Sequence, residues 1–292
     1  MNTNQLINEV YLNIQDKTHT KVPLDSMVEI INSIQQEICT AAHFPFLKQS
    51  LYFWTIGPYS KGTVAVTVSP SKTIIGTNTE WTSALVGQYF TILTDKNIYK
   101  VVEVVSATEL TLDTTFHCEK DASGLSYQIW PKFFDLPSDF VKENNDGIKL
   151  GPQQKILKNI PDDLFDYYVS DITATGEPDY YAIMQKKTKI EFFPVPDKAY
   201  QYNLHYIRQI PDISKDKLDG VSEIPTAYHY LIVLGSADRC RPFLPIDVIA
   251  KLPDFRRQYN EGLMGMINQE MVELNIKSEI KPEGYMSFYN HL

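Results

Sequence analysis

The sequence has few cysteines and no long apolar run, and each shortage excludes a class of protein. Its 292 residues include three cysteines, Cys39, Cys118 and Cys240, and cysteines this far apart predict no disulfide framework. No segment approaches the roughly 20 apolar residues of a membrane-spanning helix, so we expect no membrane partner. The first 16 residues lack the basic region and apolar stretch of a signal peptide. These features favour synthesis in a reducing cytoplasm.

Positive charge is also scarce. The 27 Lys and Arg residues are outnumbered by 36 Asp and Glu residues, which gives a formal net charge of −9. Tight binding to DNA needs clustered basic residues that neutralise phosphates, so we expect none, although DNA can still slide past the protein. The basic pairs Arg256–Arg257 and Lys186–Lys187 are too few for a nucleic-acid stripe and indicate solvated surface.

Motifs for cofactors and metals are missing as well. Residues 57–63 have the glycine spacing of a phosphate-binding loop, but Lys61 precedes the second glycine instead of following it. Cys39 and His43 are four residues apart on a predicted helix, but no third zinc ligand lies nearby in the sequence. A buried thiol and a histidine at a helix end explain this pair more simply, so we expect no cofactor and no metal.

Two acidic groups are candidates for acid–base catalysis. Asp135 with Asp139, and the cluster within Pro161–Tyr168, contain the paired carboxylates that glycoside hydrolases use. The cluster is better explained as the first turn of a short helix, where acidic side chains face the positive end of the helix dipole. The sequence therefore predicts no catalytic residue and no enzyme.

The first 45 residues have helical periodicity. Leu6, Val10 and Ile14 recur every four residues in a first helix. In a second helix, Ser26 and Glu29 match a capping box, which predicts that this helix begins there.

Helices return near the C-terminus. Residues 225–240 are apolar nearly all round, which predicts a deeply buried helix. A last helix of roughly 25 residues follows Pro253 and, at 1.5 Å per residue, is about 37 Å long. Gly262 and Gly265 in this helix would allow another backbone to approach closely.

The middle of the chain has the short Val-, Ile-, Thr- and Tyr-rich runs of β-strands. About six such runs lie between Gly57 and Trp130, and they predict a small barrel or sandwich. Three antiparallel strands follow, with a polar turn at Lys186 and Lys187. In the third of them, residues 200–208, alternation places several tyrosines on a common surface.

These elements predict an α+β fold. Residues 1–56 and 131–292 form a core that is helical, with an antiparallel β section. Residues 57–130 form an inserted β module, a small barrel or sandwich. Residues 281–292 form an extended C-terminal tail.

One tryptophan in the β module has two interpretations. Trp81 lies among small polar residues, with Gly76 before it and Gly87 after it. It is either a plug in the core of the module or an exposed platform for a sugar or a partner. Few residues are available to fill so small a core, and the two glycines supply permissive backbone. We therefore favour the core, where burial of a large aromatic contributes roughly 3 kcal/mol.

The same stretch and its flanks resemble proteins of tailed phages. Residues 62–113 are similar to a small β module of phage virion proteins, with G-T-x-x-x-W, then G-Q before a strand, then V-x-x-V-x-S-x-T-x-L-T-L. The segments that resemble phage head–tail adaptors, also called connector, neck or ring proteins, are VEIINSIQQEI, FPFL, LPSDF, PDYYAI, IEFFPVPDKAYQYNLHYIR and IPTAYHYLIVLGSA. The resemblance extends from about residue 5 to residue 240 and includes no catalytic signature.

The resemblance implies a structural virion protein at the head–tail junction. It implies a homo-oligomeric ring, usually of twelve copies, between the portal protein and a downstream tail or nozzle protein. DNA would pass through the lumen of this ring without specific binding. Twelve copies at −9 carry 12 × −9, a formal −108, and a negative lumen suits a duct that must not hold phosphates.

The C-terminal tail is the predicted contact region. Its aromatic and apolar side chains, Tyr285, Met286, Phe288 and Tyr289, lower solubility unless they dock. We expect them to insert into a neighbouring subunit or the portal. The alternative function is a carbohydrate- or receptor-binding tail component that uses exposed rings of residues 57–130. A wall-degrading hydrolase is a third alternative, and no motif supports it.

Overall fold

A computed structural model describes residues 1–16, 18–68, 71–95, 97–117, 120–151, 155–169, 171 and 173–279 of the chain. These residues divide into two compact units. The first combines Met1–Gln49 with the described residues from Ile207 onward, and the second is Ser50–Tyr206. The first unit is mainly helical and the second mainly β, which confirms the predicted mixture of helices and strands.

The elements have the following bounds. The α-helices are α1 (Thr3–Asn13), α2 (Leu24–Ala41), α3 (Asp162–Tyr168), α4 (His229–Arg239), α5 (Ile246–Ile249) and α6 (Phe255–Glu279). The first strands are β1 (Lys48–Trp54), β2 (Thr63–Val66), β3 (Thr73–Thr77), β4 (Tyr89–Ile92), β5 (Ile98–Ser106), β6 (Glu109–Leu112), β7 (Ala122–Leu125) and β8 (Tyr127–Trp130). The later strands are β9 (Phe133–Asp135), β10 (Phe140–Leu150), β11 (Lys155–Ile156), β12 (Lys158–Asn159), β13 (Thr175–Gly176), β14 (Tyr180–Met184), β15 (Lys189–Phe193), β16 (Val195–Pro196) and β17 (Gln201–Arg208).

The first two helices begin differently from the prediction. The capping box belongs to α1, where the Gln5 N–H donates to Asn2 Oδ1 and the Asn2 N–H donates to Gln5 Oε1, both at 2.9 Å. α2 begins directly after Pro23, so Ser26 and Glu29 lie inside the helix and the capping box predicted for them is wrong. The proline already fixes its own φ at the helix entrance, so the chain turns into the helix before the serine is reached.

The core of the first unit lies among α1, α2, α4 and α6. The buried face of α1 includes Leu6 and Val10, and that of α2 includes Ile31 and Ile34. Most of α4 is buried, as its apolar sequence predicts, whereas Tyr230 on the same helix is 47% exposed. The unit is therefore a helical bundle built from both ends of the chain.

α4 and α6 approach each other closely at Gly262. A Cβ at this position would lie 2.5 Å from Leu231 Cδ2 and 3.0 Å from Tyr230 Oη, whereas a Cβ at Gly265 would have no atom within 4 Å. We expect Gly262→Ala to lower the free energy of unfolding by about 1–3 kcal/mol through overpacking. Gly265→Ala should raise it by about 0.5–1 kcal/mol, because alanine is the better helix former.

Urea titrations of the two glycine variants against the unmodified chain test this difference. The two substitutions add the same methyl group to the same helix, so each is the control for the other. Equal effects of the same sign would show that the close approach at Gly262 has no energetic consequence.

Strands β2–β8 form one antiparallel sheet that curls on itself. Within the described residues its order is β7-β2-β3-β6-β5-β4-β8. β7 and β8 lie at opposite ends of this order, yet only Ser126 separates them in the chain, so the ends of the sheet must approach one another. β7 is additional to the strands predicted, because its sequence ASGL lacks a strong strand pattern. The boundaries of the inserted module at 57–130 stay a prediction.

Two further sheets of the second unit pack face to face. Their orders are β1-β17-β10-β11 and β12-β14-β15-β9. The core between them contains Phe192 stacked on Tyr202, with ring centroids 4.6 Å apart, and Phe53 stacked on the same tyrosine at 5.5 Å. The pairs β12–β14 and β13–β16 are parallel and very short.

The predicted group of three antiparallel strands is right in part. β14 and β15 are antiparallel, and Lys186 and Lys187 lie in the turn between them, as predicted. β17 belongs to the other sheet instead, because the segment around Pro194–Ala199 carries the chain across the core. Tyr202 and Tyr206 lie on one face of β17, as the alternation predicts, and that face is buried between the two sheets, at 0% and 4% exposure.

Candidate interaction surfaces

Trp81 lies inside the curled sheet. Its side chain is 3% exposed, and its Nε1 donates to Tyr127 Oη at 3.0 Å. The two rings meet edge to face, with centroids 5.9 Å apart. The Tyr127 hydroxyl donates to the Lys61 carbonyl at 2.6 Å, and burial, the main cause, raises the Tyr127 pKa. An indole enclosed in this way offers no open face on which a sugar could stack.

The two glycines near Trp81 serve different purposes. Gly87 has φ of +86°, and a Cβ there would meet no atom within 4 Å, so its role is conformational freedom. Gly76 instead leaves space, because a Cβ there would lie 2.7 Å from Thr79 Cγ2 and 2.9 Å from Trp81 Cη2. Sequence reasoning assigned both residues to permissive backbone and missed the packing role of Gly76.

Three large apolar side chains lie exposed in a row at β1. Tyr52, Trp54 and Ile56 are 61%, 60% and 63% exposed, and we call them the β1 stripe. Alternation places them opposite Phe53, which packs into the core. β1 is also an edge strand of its sheet, and exposed apolar edges of this kind are typical of protein–protein contacts.

The β1 stripe adjoins an open hollow of about 420 Å³. Tyr200, Lys155 and Glu177 lie in its wall beside Trp54. Lys155 forms ion pairs with Glu177 at 2.8 Å and with Asp179 at 2.7 Å, and these carboxylates raise its pKa. The one ammonium group in the wall of the hollow is thus already held by two carboxylates.

Helix α3 presents a second exposed surface. Leu164, Tyr167 and Tyr168 are 44%, 85% and 61% exposed, while Phe165 is buried and holds the helix against the sheet. Positions three and four apart lie on one helix face, so the three exposed side chains form a common apolar patch. We call it the α3 patch.

The predicted acidic groups do not act as pairs. Asp162 and Asp163 lie in the first turn of α3, which confirms the simpler explanation of that cluster. Asp135 forms an ion pair with Lys189, and Asp139 accepts a hydrogen bond from the Tyr206 hydroxyl at 3.1 Å. Asp135 and Asp139 therefore each have a structural partner.

Glu191 is a buried carboxylate whose pKa is raised. Glu191 is 7% exposed, and burial raises its pKa to about 7, although Lys132 opposes this shift from 3.6 Å. The Lys132 ammonium also lies 5.3 Å from the Phe133 ring centroid and 5.7 Å from that of Tyr89. This cluster joins the end of the curled sheet to β9 and β15.

The structure gives Cys39 and Cys240 no reactive setting. Burial raises the pKa of the Cys39 and Cys240 thiols to about 12, so both stay protonated and are poor nucleophiles and ligands at neutral pH. Cys118 lies outside the described residues. Over the described part of the chain, no three His, Cys, Asp or Glu side chains cluster as metal ligands would. In that part, too, no helix has the length and apolar character that crossing a bilayer requires.

The residues predicted to make intersubunit contacts, Tyr285, Met286, Phe288 and Tyr289, lie outside the described residues. Their insertion into a neighbour or the portal stays a prediction. The β1 stripe and the α3 patch were not identified from the sequence. The secondary structure of both segments was predicted correctly from the sequence. Which face of each segment is exposed depends on strands that are distant in the chain.

Comparison with known protein families gives a match over most of the chain. A protein-family model described as SU10 adaptor protein matches residues 1–274 of the chain. No curated protein matches it. Because the family match spans nearly the whole chain, the protein belongs to the SU10 adaptor family, as its resemblance to phage head–tail adaptors predicted, and it is a structural component of the phage virion.

Proposed function

We propose that this protein forms a homo-oligomeric ring under the portal, links the capsid to the tail, and lets DNA pass through its lumen. The observation that carries the proposal is the family match over residues 1–274. The expected neighbours are the portal protein above and a tail or nozzle protein below. Its place is the head–tail junction of the virion.

The exposed apolar surfaces support a ring. A ring needs a head-to-tail contact between two different surfaces of the same subunit. The β1 stripe and the α3 patch are two such surfaces, on different elements, with several side chains more than 40% exposed. Contiguous exposed apolar area of this kind marks sites of protein–protein contact.

The charge distribution supports passage of DNA without binding. Each copy has a formal charge of −9, and several cations are held in ion pairs. Arg239 pairs with Glu37, and Arg241 pairs with Asp238 at 3.0 Å. Cations matched in this way offer little attraction to phosphates, so DNA meets a wall that does not retain it.

Truncation after Ile280 tests the proposal. The shortened chain should keep its circular-dichroism spectrum and melting temperature, because the buried side chains of the described cores all lie at or before Met266. Twelve chains of 33.5 kDa amount to 12 × 33.5, roughly 400 kDa, and this mass should form from the full chain with portal present and be lost on truncation. Light scattering after size exclusion measures it.

A full-length variant with serine in place of Tyr285, Phe288 and Tyr289 is the matched control, because it separates loss of the aromatic rings from loss of length. It should fail to assemble as the truncated chain does. Normal ring formation by both variants would reject the tail as a contact. Absence of a ring from the unmodified chain with portal present would reject the proposed function.

A further inference from the structure

The turn between β14 and β15 has an unusual residue choice. Its central residues, Lys186 and Lys187, have φ of +56° and +67°. Positive φ at both positions is what type I′ hairpin turns require, and Asn-Gly adopts it most easily. A lysine strains this conformation through its Cβ. Two lysines in succession therefore make the hairpin less stable than Asn-Gly would. A residue choice that lowers stability in this way indicates that the two charges have a function.

These lysines stand at the rim of an open hollow of about 500 Å³. Lys142 of β10 lies on the same hollow, and Phe140, Ile160 and Ile183 contribute its apolar lining. Phe140 and Ile160 are only 9% and 6% exposed, so they are held in place by the core beneath. Three ammonium groups thus lie around a firm apolar floor, and we call this site the lysine hollow.

The hydrogen bonds around the hollow orient its charges. Lys187 Nζ donates to the Val141 carbonyl at 3.2 Å, which holds that ammonium at the rim. Glu143, in the wall, accepts hydrogen bonds from the Tyr181 hydroxyl and from Asn159 Nδ2. Its carboxylate is therefore engaged with its own fold.

We propose that the lysine hollow binds an acidic polypeptide segment of a partner protein, which places one apolar side chain on the floor and its carboxylates against the lysines. Charge complementarity and the apolar lining carry this inference together. It rests on the proposed function only in that an adaptor has polypeptide partners.

Nucleic acid fits the hollow less well than an acidic peptide. A phosphate would bury no apolar surface against the floor of the hollow, whereas an aromatic or aliphatic side chain would cover that floor and remove it from water. A phosphate track also needs a row of basic side chains longer than the three lysines found here.

Replacement of the turn by Asn-Gly tests the proposal. Lys186→Asn/Lys187→Gly should raise the melting temperature by about 2–4 °C, because it relieves the strain at both positions. The same variant should bind a fluorescein-labelled peptide, with several Asp and Glu residues around one Phe, about five- to tenfold more weakly. Fluorescence anisotropy with the full chain measures the affinity.

The matched control is Lys217→Asn/Lys251→Asn, which removes two exposed lysines from the first unit. It changes the net charge from −9 to −11, as the test variant does, and should leave the peptide affinity unchanged. A turn that is merely solvated would give the gain in melting temperature without the loss of affinity, and that result overturns the inference. So would failure of the unmodified chain to bind the peptide at about 1 mM, or tighter binding of a short DNA duplex.

The ring mass and the peptide affinity of the unmodified chain, measured separately, distinguish this inference from the proposed function. Peptide binding by a chain that forms no ring with portal would keep the inference and reject the ring. Ring formation by a chain that does not bind the peptide would keep the proposed function and reject the inference.

Discussion

Trp81→Ala should lower the free energy of unfolding of the second unit by about 3–5 kcal/mol, the usual range for loss of a buried tryptophan. The indole is 3% exposed and packs edge to face on Tyr127. Its removal opens a cavity in the core of the curled sheet, which Trp81 shares with Phe90 and Tyr127. It also leaves the Tyr127 hydroxyl without its N–H donor.

Urea titration of the full chain, followed by circular dichroism and by hydrogen exchange of amides in β2–β8, measures this loss. Trp54→Ala is the matched control, since it removes the same side chain from the same unit at a site that is 60% exposed. The control should change the free energy of unfolding by less than about 1 kcal/mol. Equal losses from the two variants would show that Trp81 is not a core residue in energetic terms.

Local patterns were sufficient for part of the fold. The four-residue spacing of Leu6, Val10 and Ile14 predicts α1, because a helix needs only one continuous apolar face. The same holds for the buried helix α4 and for the turn at Lys186 and Lys187. Each of these elements is decided by residues that are neighbours in the chain.

Pairing between distant strands was not predictable from such patterns. The alternation within β17 is real, and it correctly groups Tyr202, Leu204 and Tyr206 on one face. Whether that face meets solvent or a second sheet depends on β14 and β15, which alternation within one strand cannot reveal. The exposure of Tyr52 and Trp54 has the same origin, because β1 lies at a sheet edge that only the strand order defines.

The function followed from motifs more than from geometry. The sequence pattern around Trp81 and its flanks pointed to phage adaptors, and the family match agrees. The surfaces that such a protein would use could not be identified from the sequence. Whether an apolar residue is exposed depends on whether another part of the fold covers it. The structure adds the β1 stripe, the α3 patch and the lysine hollow as places where contacts can now be tested.

The loop between α1 and α2 is organised by one carboxylate. Asp16 is 1% exposed and accepts hydrogen bonds from the backbone N–H groups of Thr20, Lys21 and Val22, at 3.2, 2.9 and 3.2 Å. Burial by itself raises the pKa of Asp16, but the three N–H donors and the Lys21 ammonium lower it more, so the pKa lies below its ordinary value. The charged form is therefore the one that the fold stabilises.

Asp16→Asn should lower the free energy of unfolding by about 2–3 kcal/mol at neutral pH, because a neutral amide is a weaker acceptor and brings N–H groups toward other donors. The pH dependence has a definite sign. A depressed folded pKa gives stability that is fully present above the unfolded value of about 3.9 and is lost as pH falls through the lower folded value. The variant should lack this part of the acid destabilisation.

Urea titrations between about pH 6 and pH 2 measure both effects, since the difference between the two chains should shrink as Asp16 becomes protonated. Asp216→Asn, at an exposed position in the same unit, removes one carboxylate without a buried network and should leave the acid limb unchanged. If the gap between Asp16→Asn and the unmodified chain were constant across this range, the stabilisation would come from shape alone. The lowered pKa of Asp16 would then have no part in holding α1 and α2 together.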